Sequence, residues 1–198
     1  MSKLDAWRKS LAGRVTLPIV RLVARTPMTP NAMTWLGFVI TLGAAALIVT
    51  GHFLAAGIVV IVAGAFDMLD GALARLTGRV TKFGGILDST LDRLSDAAPL
   101  LGLLWVFADS GLTGMTLLAG LAIPGSLLVS YVRARAEVAG IECHVGLFTR
   151  PERLAVLALG LLLSQFDFAL AVALALVTVL SYFTAGQRLF YAWRQTRG

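Results

Sequence analysis

Between residues 32 and 190 the chain is a succession of apolar runs about 20 residues long, separated by short polar connections. A run of that length is what a helix needs to cross the roughly 30 Å hydrocarbon core of a bilayer. In hydrocarbon every backbone N–H and C=O must also find its partner within the segment, which favours helices. The runs at 32–50, 53–74, 83–107, 112–134, 152–166 and 168–190 therefore predict an all-α integral membrane protein with six transmembrane helices. Composition agrees: 58% of the 198 residues are hydrophobic, and the mean hydropathy is +0.83. Both values are too apolar for a soluble domain of this size.

A net charge of +6 would point to nucleic acid in a soluble protein. Its placement points to a membrane instead, and no nucleic-acid partner is expected. Lys3, Arg8, Lys9, Arg14, Arg21 and Arg25 precede the first run. Arg75, Arg79 and Lys82 flank the second connection, and Arg133, Arg135, Arg150 and Arg153 flank the fourth. Arg188, Arg194 and Arg197 close the chain, and Arg93 lies one turn inside the same face. The odd connections, near Gly51, Asp109 and Asp167, hold no Lys or Arg. The positive-inside rule then predicts a multi-pass protein of the cytoplasmic membrane, with both termini and the even connections facing the cytoplasm.

Two segments are expected. Residues 1–25 read as a juxtamembrane amphipathic helix, with Leu4, Trp7, Leu11 and Val15 at helical spacing and Arg8, Lys9 and Arg14 opposite, suited to an anionic leaflet. Residues 26–198 read as one six-helix domain, entered through the Thr29-Pro30-Asn31 turn. No apolar run with a small-residue cleavage site follows the first basic residues, so no cleavable signal peptide is expected.

Asp67, Asp70, Asp88 and Asp92 contradict the apolar pattern. A carboxylate at a helix centre costs roughly 2.5–3.5 kcal/mol on insertion scales, so four require compensation. Spacings of three and four residues put each pair on one helix face. The two helices share a short connection and are expected to be antiparallel neighbours, so all four carboxylates can converge. Oxygen ligands without cysteine or histidine select a hard ion, Mg²⁺ or Mn²⁺. Two such ions about 3.5–4 Å apart suit phosphoryl-type transfer. Gly71, Ala74, Gly84 and Gly85 remove bulk where a nucleotide could approach, and Arg75, Arg79 and Lys82 supply cations for phosphate. The alternative is a structural ion-pair network of the aspartates with Arg75, Arg79 and Arg93, the glycines serving helix packing.

The run Asp67-x2-Asp70-Gly71-x2-Ala74-Arg75-x8-Gly84-x3-Asp88-x3-Asp92 resembles, at every fixed position, the signature of the CDP-alcohol phosphotransferases. Members are similar dimeric six-helix membrane enzymes that displace CMP from a CDP-linked lipid with an alcohol, using Mg²⁺ or Mn²⁺. The resemblance implies CDP-diacylglycerol as donor, two metal ions on Asp67, Asp70, Asp88 and Asp92, and Asp92 as the general base. It also implies contacts to the CDP-lipid from Gly71, Ala74, Arg75, Thr81 and Gly84, and from Asn31, Ala32, Met33 and Thr34, which match a Pro-Asn-x-x-Thr entry to the first span. Asp96 lies one turn beyond the signature and reads as a supporting residue or a partner of Arg93.

The arginines of the fourth connection, with Arg188, could form a pocket for a soluble phosphorylated polyol. Ser130, Arg133, Arg153 and Arg188 resemble the acceptor-phosphate contacts of the family branch that uses inositol phosphate. That branch commonly has lysine where Arg133 stands, exchanging a point donor for a planar fork. Glycerol phosphate or another polyol phosphate is the alternative acceptor. A divalent-cation transporter is a competing class, disfavoured because no polar path crosses the far half of the spans. A non-catalytic CDP-lipid binder is a third, opposed by the intact Asp92. His52 reads as interfacial, and Cys143-His144 as a solvated loop rather than a metal site, since two adjacent ligands lack a partner pair.

Overall fold

The computed structural model describes residues 20–166 and 168–197, and among these the chain is wholly helical apart from turns and loops. Helix α1 spans Pro30–Val49, α2 Phe53–Thr77, α3 Lys82–Asp109, α4 Thr113–Val138, α5 Arg150–Leu162 and α6 Ala169–Gln195. Local chemistry fixes several ends. The Thr29 side chain accepts from the Ala32 N–H at 3.2 Å and Pro30 opens α1, a residue whose missing N–H costs nothing there. Gly78, at φ 66°, ends α2 in the left-handed conformation that spares glycine a Cβ clash. Thr81 caps α3 by accepting from the Gly84 N–H at 2.9 Å. Thr149 and Glu152 form a capping box at the start of α5, the Thr149 N–H donating to Glu152 Oε2 at 2.9 Å.

The helices close into a ring. α1 packs on α2 and α3, α4 on α3 and α6, and α5 on α2 and α6. The expected direct pairing of α2 with α3 is not the observed packing: both lean on α1, and the space between their polar ends is a cavity.

The core sits in the half of the bundle away from the aspartates, where Ile48, Val60, Leu100, Leu103, Leu161 and Leu174 are almost fully buried. A smaller cluster of Val20, Met33, Leu69 and Leu73 lies near the aspartates. Outside the ring, Leu54, Ile58 and Ile61 of α2 and Val172, Val179 and Phe183 of α6 are exposed, an apolar girdle suited to lipid. Among the described residues four helices, α1, α2, α4 and α6, are long and apolar enough to cross a membrane, and the chain is a membrane protein. α5 has 13 residues, about 20 Å of helix, and α3 carries the acidic cluster. Most of the 1–25 segment lies outside the described residues. Its end, Val20–Val23, is helical, with Val20 packed into the smaller cluster. The Cys143-His144 loop is less solvated than expected, since Cys143 is fully buried beside an exposed His144.

Candidate active site

Asp67 and Asp70 sit near the end of α2, and Asp88 and Asp92 in the first half of α3. Asp67, Asp70 and Asp88 each offer an oxygen, and the three oxygens lie within 4.8 Å of one another. Asp70 is buried; it accepts from the Gly71 N–H at 2.5 Å, while its Oδ2 has no hydrogen-bond partner. Three converging carboxylates with an orphaned buried oxygen fit a hard divalent cation, which would replace their mutual repulsion with coordination.

Asp92 stands beside this trio, and its Oδ1 lies 2.9 Å from Nη1 of Arg150. Arg150 also pairs with Asp67 through Nη1 and with Asp96 through Nε, at 3.0 Å from Oδ1. Asp96 Oδ2 accepts from Arg153 Nη2 at 2.5 Å and from the Ser126 hydroxyl at 3.2 Å. The cation among the carboxylates is therefore Arg150, rather than Arg75, Arg79 or Arg93. Arg93 turns back to the carbonyl of Ser89 on its own helix. Sequence reasoning grouped Arg150 with the fourth-connection arginines of the acceptor pocket and gave it no place among the carboxylates. The Thr149–Glu152 capping box was the available signal: it fixes the start of α5 and puts Arg150 and Arg153 three residues apart on one face.

Two cavities flank the carboxylates. The first, about 340 Å³, is lined by Asn31, Thr34, Asp70, Gly71, Ala74, Arg75, Thr81, Gly84 and Asp88, with Arg79 at its edge. Ala32 and Met33 lie away from it. The Ala32 N–H is used by the Thr29 cap and Met33 is buried against Leu69 and Leu73, because residues 31 and 34 share a helix face that 32 and 33 do not. The cavity sits at the start of α3, where unpaired helix N–H groups favour phosphate. Glycine is required at its wall: a Cβ on Gly84 would stand 2.9 Å from Thr81 Oγ1 and 3.1 Å from Asn31 Oδ1. A Cβ on Gly71 would make only an ordinary contact with the end of the Arg75 side chain, 3.4 Å from Nη1.

The second cavity, about 410 Å³, is lined by Asp88, Asp92, Asp96, Ser130, Arg133, Glu137, Arg150, Arg153 and Arg188. All of the expected acceptor residues thus meet in one chamber. Arg153 and Arg188 are both 4% exposed. Arg188 is oriented by donating to the carbonyls of Val145 at 2.8 Å and Val129 at 2.7 Å. Arg153 keeps Nε and Nη1 without hydrogen-bond partners. Arg133, half exposed, pairs with Glu137 at 2.8 Å.

Fold and site together define a helical membrane protein in which an acidic, metal-type cluster separates a glycine-walled chamber from an arginine-lined one. A family model described as CDP-alcohol phosphatidyltransferase matches residues 27–184, and the chain belongs to that family of enzymes. The phosphatidylinositol phosphate synthase of Mycobacterium tuberculosis is 40% identical over 203 residues, covering 98% of this chain and 92% of that protein. The archaetidylinositol phosphate synthase of Methanothermobacter thermautotrophicus is 38% identical over 188 residues, covering 91% and 93%. The crystal structure of the M. tuberculosis enzyme with CDP-DAG bound superposes with a TM-score of 0.84 at 37% identity, covering 91% of this chain and 94% of that one. Its complex with manganese and citrate gives 0.82 at 38% identity, covering 90% and 88%.

Proposed function

We propose that this chain transfers the phosphatidyl group of CDP-diacylglycerol to a hydroxyl of inositol phosphate and releases CMP. The observation that carries this reading is Asp88, which belongs to the carboxylate trio and lines both cavities. A group shared by a donor chamber and an acceptor chamber stands where the reacting phosphorus belongs. The similar M. tuberculosis enzyme, with CDP-DAG bound in one crystal structure and manganese in another, supports donor and metal alike.

The glycine-walled chamber takes the CDP moiety. Asn31, Thr34, Gly71, Ala74, Arg75, Thr81 and Gly84 form its contacts, and Thr81, whose oxygen caps α3, keeps its own O–H to donate. The arginine-lined chamber takes the acceptor phosphate on Ser130, Arg133, Arg153 and Arg188. Asp67, Asp70, Asp88 and Asp92 would hold Mg²⁺ or Mn²⁺, two ions in our reading, which when bound neutralise the diphosphate and the leaving group. Asp92 accepts the proton of the acceptor hydroxyl as its oxygen attacks the phosphatidyl phosphorus. The P–O bond to CMP breaks, and CMP departs with that oxygen and the bonding electron pair.

The same proposal places all six helices in the cytoplasmic membrane, with the termini and both chambers at the cytoplasmic face, and the chain as a homodimer. The polar half of α3, from Asp88 to Asp96, is followed by the apolar stretch 97–108, which supports a span entered from that side. The test is CMP release by purified protein with CDP-diacylglycerol and Mg²⁺, offering inositol phosphate, glycerol phosphate and free inositol separately. Turnover with inositol phosphate alone is expected. Turnover only with glycerol phosphate would overturn the acceptor assignment and keep the aspartate chemistry, whereas metal flux into proteoliposomes without CMP release would favour a transporter.

A further inference from the structure

Asp96 lies outside the residues that the proposed reaction itself requires, yet it is a heavily committed carboxylate. Its side chain is 6% exposed and both oxygens are engaged: Oδ1 by Arg150 Nε, Oδ2 by Arg153 Nη2 and the Ser126 hydroxyl. Removing one member of such a buried set strands the remaining charges, so the contacts stand or fall together. We propose that Asp96 is a positioning residue for the acceptor, holding the Arg153 guanidinium in the wall of the arginine-lined chamber while tying Arg150 to the carboxylates. The inference rests on the reading of that chamber as the acceptor site.

Three observations support it. Arg153 is 4% exposed and its Nε and Nη1 have no hydrogen-bond partner, although a buried guanidinium ordinarily satisfies its donors. With Nη2 fixed by Asp96, the guanidinium is held as part of the wall of the cavity that Arg153 lines, its Nε and Nη1 enclosed by protein. Arg150 spans the same geometry toward the other side: Nε is fixed by Asp96, and Nη1 reaches Asp67 and Asp92. The helices concerned are α3, α4 through Ser126, and α5, so Asp96 links the acceptor wall to the carboxylate cluster across three elements. A long arginine side chain without this anchor samples several rotamers, and its charge is no longer fixed at the chamber wall.

The test separates acceptor from donor. Asp96→Asn preserves shape and removes the charge. Losing a charge-assisted contact of about 1.5–3 kcal/mol corresponds to roughly a 10- to 100-fold rise in KM for inositol phosphate. KM for CDP-diacylglycerol should stay within about twofold, and kcat should fall less than the acceptor KM rises. In thermal unfolding without turnover, CDP-diacylglycerol with Mg²⁺ should still raise the Tm of the variant, whereas inositol phosphate should no longer do so. A purely structural role would lower both responses together, and that result, or an unchanged acceptor KM, would overturn the inference. Should Asp96→Asn fail to fold, Ser126→Ala decides: it removes one hydrogen bond and leaves both ion pairs. A rise of about 2- to 5-fold in acceptor KM is expected, and no rise would overturn the proposal. Wild-type protein that neither turns over nor is stabilised by inositol phosphate would overturn the acceptor reading and this inference with it. Wild-type saturation by inositol phosphate with an unaffected Asp96→Asn variant would overturn this inference alone.

Discussion

Asp92 and Glu137 line the same chamber, and their substitution should separate chemistry from binding. Asp92→Asn keeps the volume and loses the base, so kcat should fall at least about 100-fold while CDP-diacylglycerol still shifts the Tm. An equal loss of donor binding would count against the proton-acceptor role. Glu137 holds Arg133, a proposed acceptor contact, in a half-exposed pair 2.8 Å apart. Such pairs are worth about 1 kcal/mol or less, so Glu137→Gln should lower acceptor KM by about 2- to 5-fold, read from initial rates at saturating donor. The convergence of Asp67, Asp70 and Asp88 was legible because spacings of three and four residues are local facts of helix geometry. The partners of Asp96 were not. Arg150 and Arg153 lie 54 and 57 residues away, and no periodicity on α3 reports which helix end will face it. Local reasoning therefore chose Arg93, the nearest cation in sequence.

Helix contacts depend on side chains that are missing as much as on those present. A Cβ on Gly160 of α5 would stand 2.4 Å from the Ala173 Cβ of α6, and neither atom can rotate away. Gly160→Ala should therefore force the helices apart at a cost of about 1–3 kcal/mol, measured as a lower Tm in detergent. At the donor chamber, Gly84→Val should raise KM for CDP-diacylglycerol about 10-fold or more, since the added atoms meet Thr81 and Asn31. A normal donor KM would remove Gly84 from the CDP site. The apolar runs located all six helices to within a few residues, because hydrophobic length and Pro or Gly punctuation are written locally. The resemblance put Ala32 and Met33 with Asn31 and Thr34 at the CDP-lipid, whereas the α1 residues that line the cavity are Pro30, Asn31 and Thr34. The short connection suggested that α2 and α3 pack directly, whereas both lean on α1 and come together at their carboxylates.

The whole molecule is organised along one axis, with an apolar core in one half and charge, cavities and carboxylates in the other. The absence of Lys and Arg in the odd connections predicts the orientation, and it can be tested directly. In a Cys143→Ser background, His52→Cys should react with an impermeant maleimide on intact cells, and Glu142→Cys only after lysis. The reverse pattern would invert the topology. Which chamber takes which substrate was readable only through the resemblance, since arginines near a membrane face serve orientation and binding alike. The central claim is that the two chambers exchange a phosphatidyl group across the shared carboxylates. The most direct measurement is mass spectrometry of the lipid made by purified protein in liposomes from CDP-diacylglycerol, Mg²⁺ and inositol phosphate. The account predicts phosphatidylinositol phosphate and CMP in equal amounts, and neither product when the metal is chelated. CMP accompanied by phosphatidic acid, or a lipid product indifferent to chelation, would contradict it.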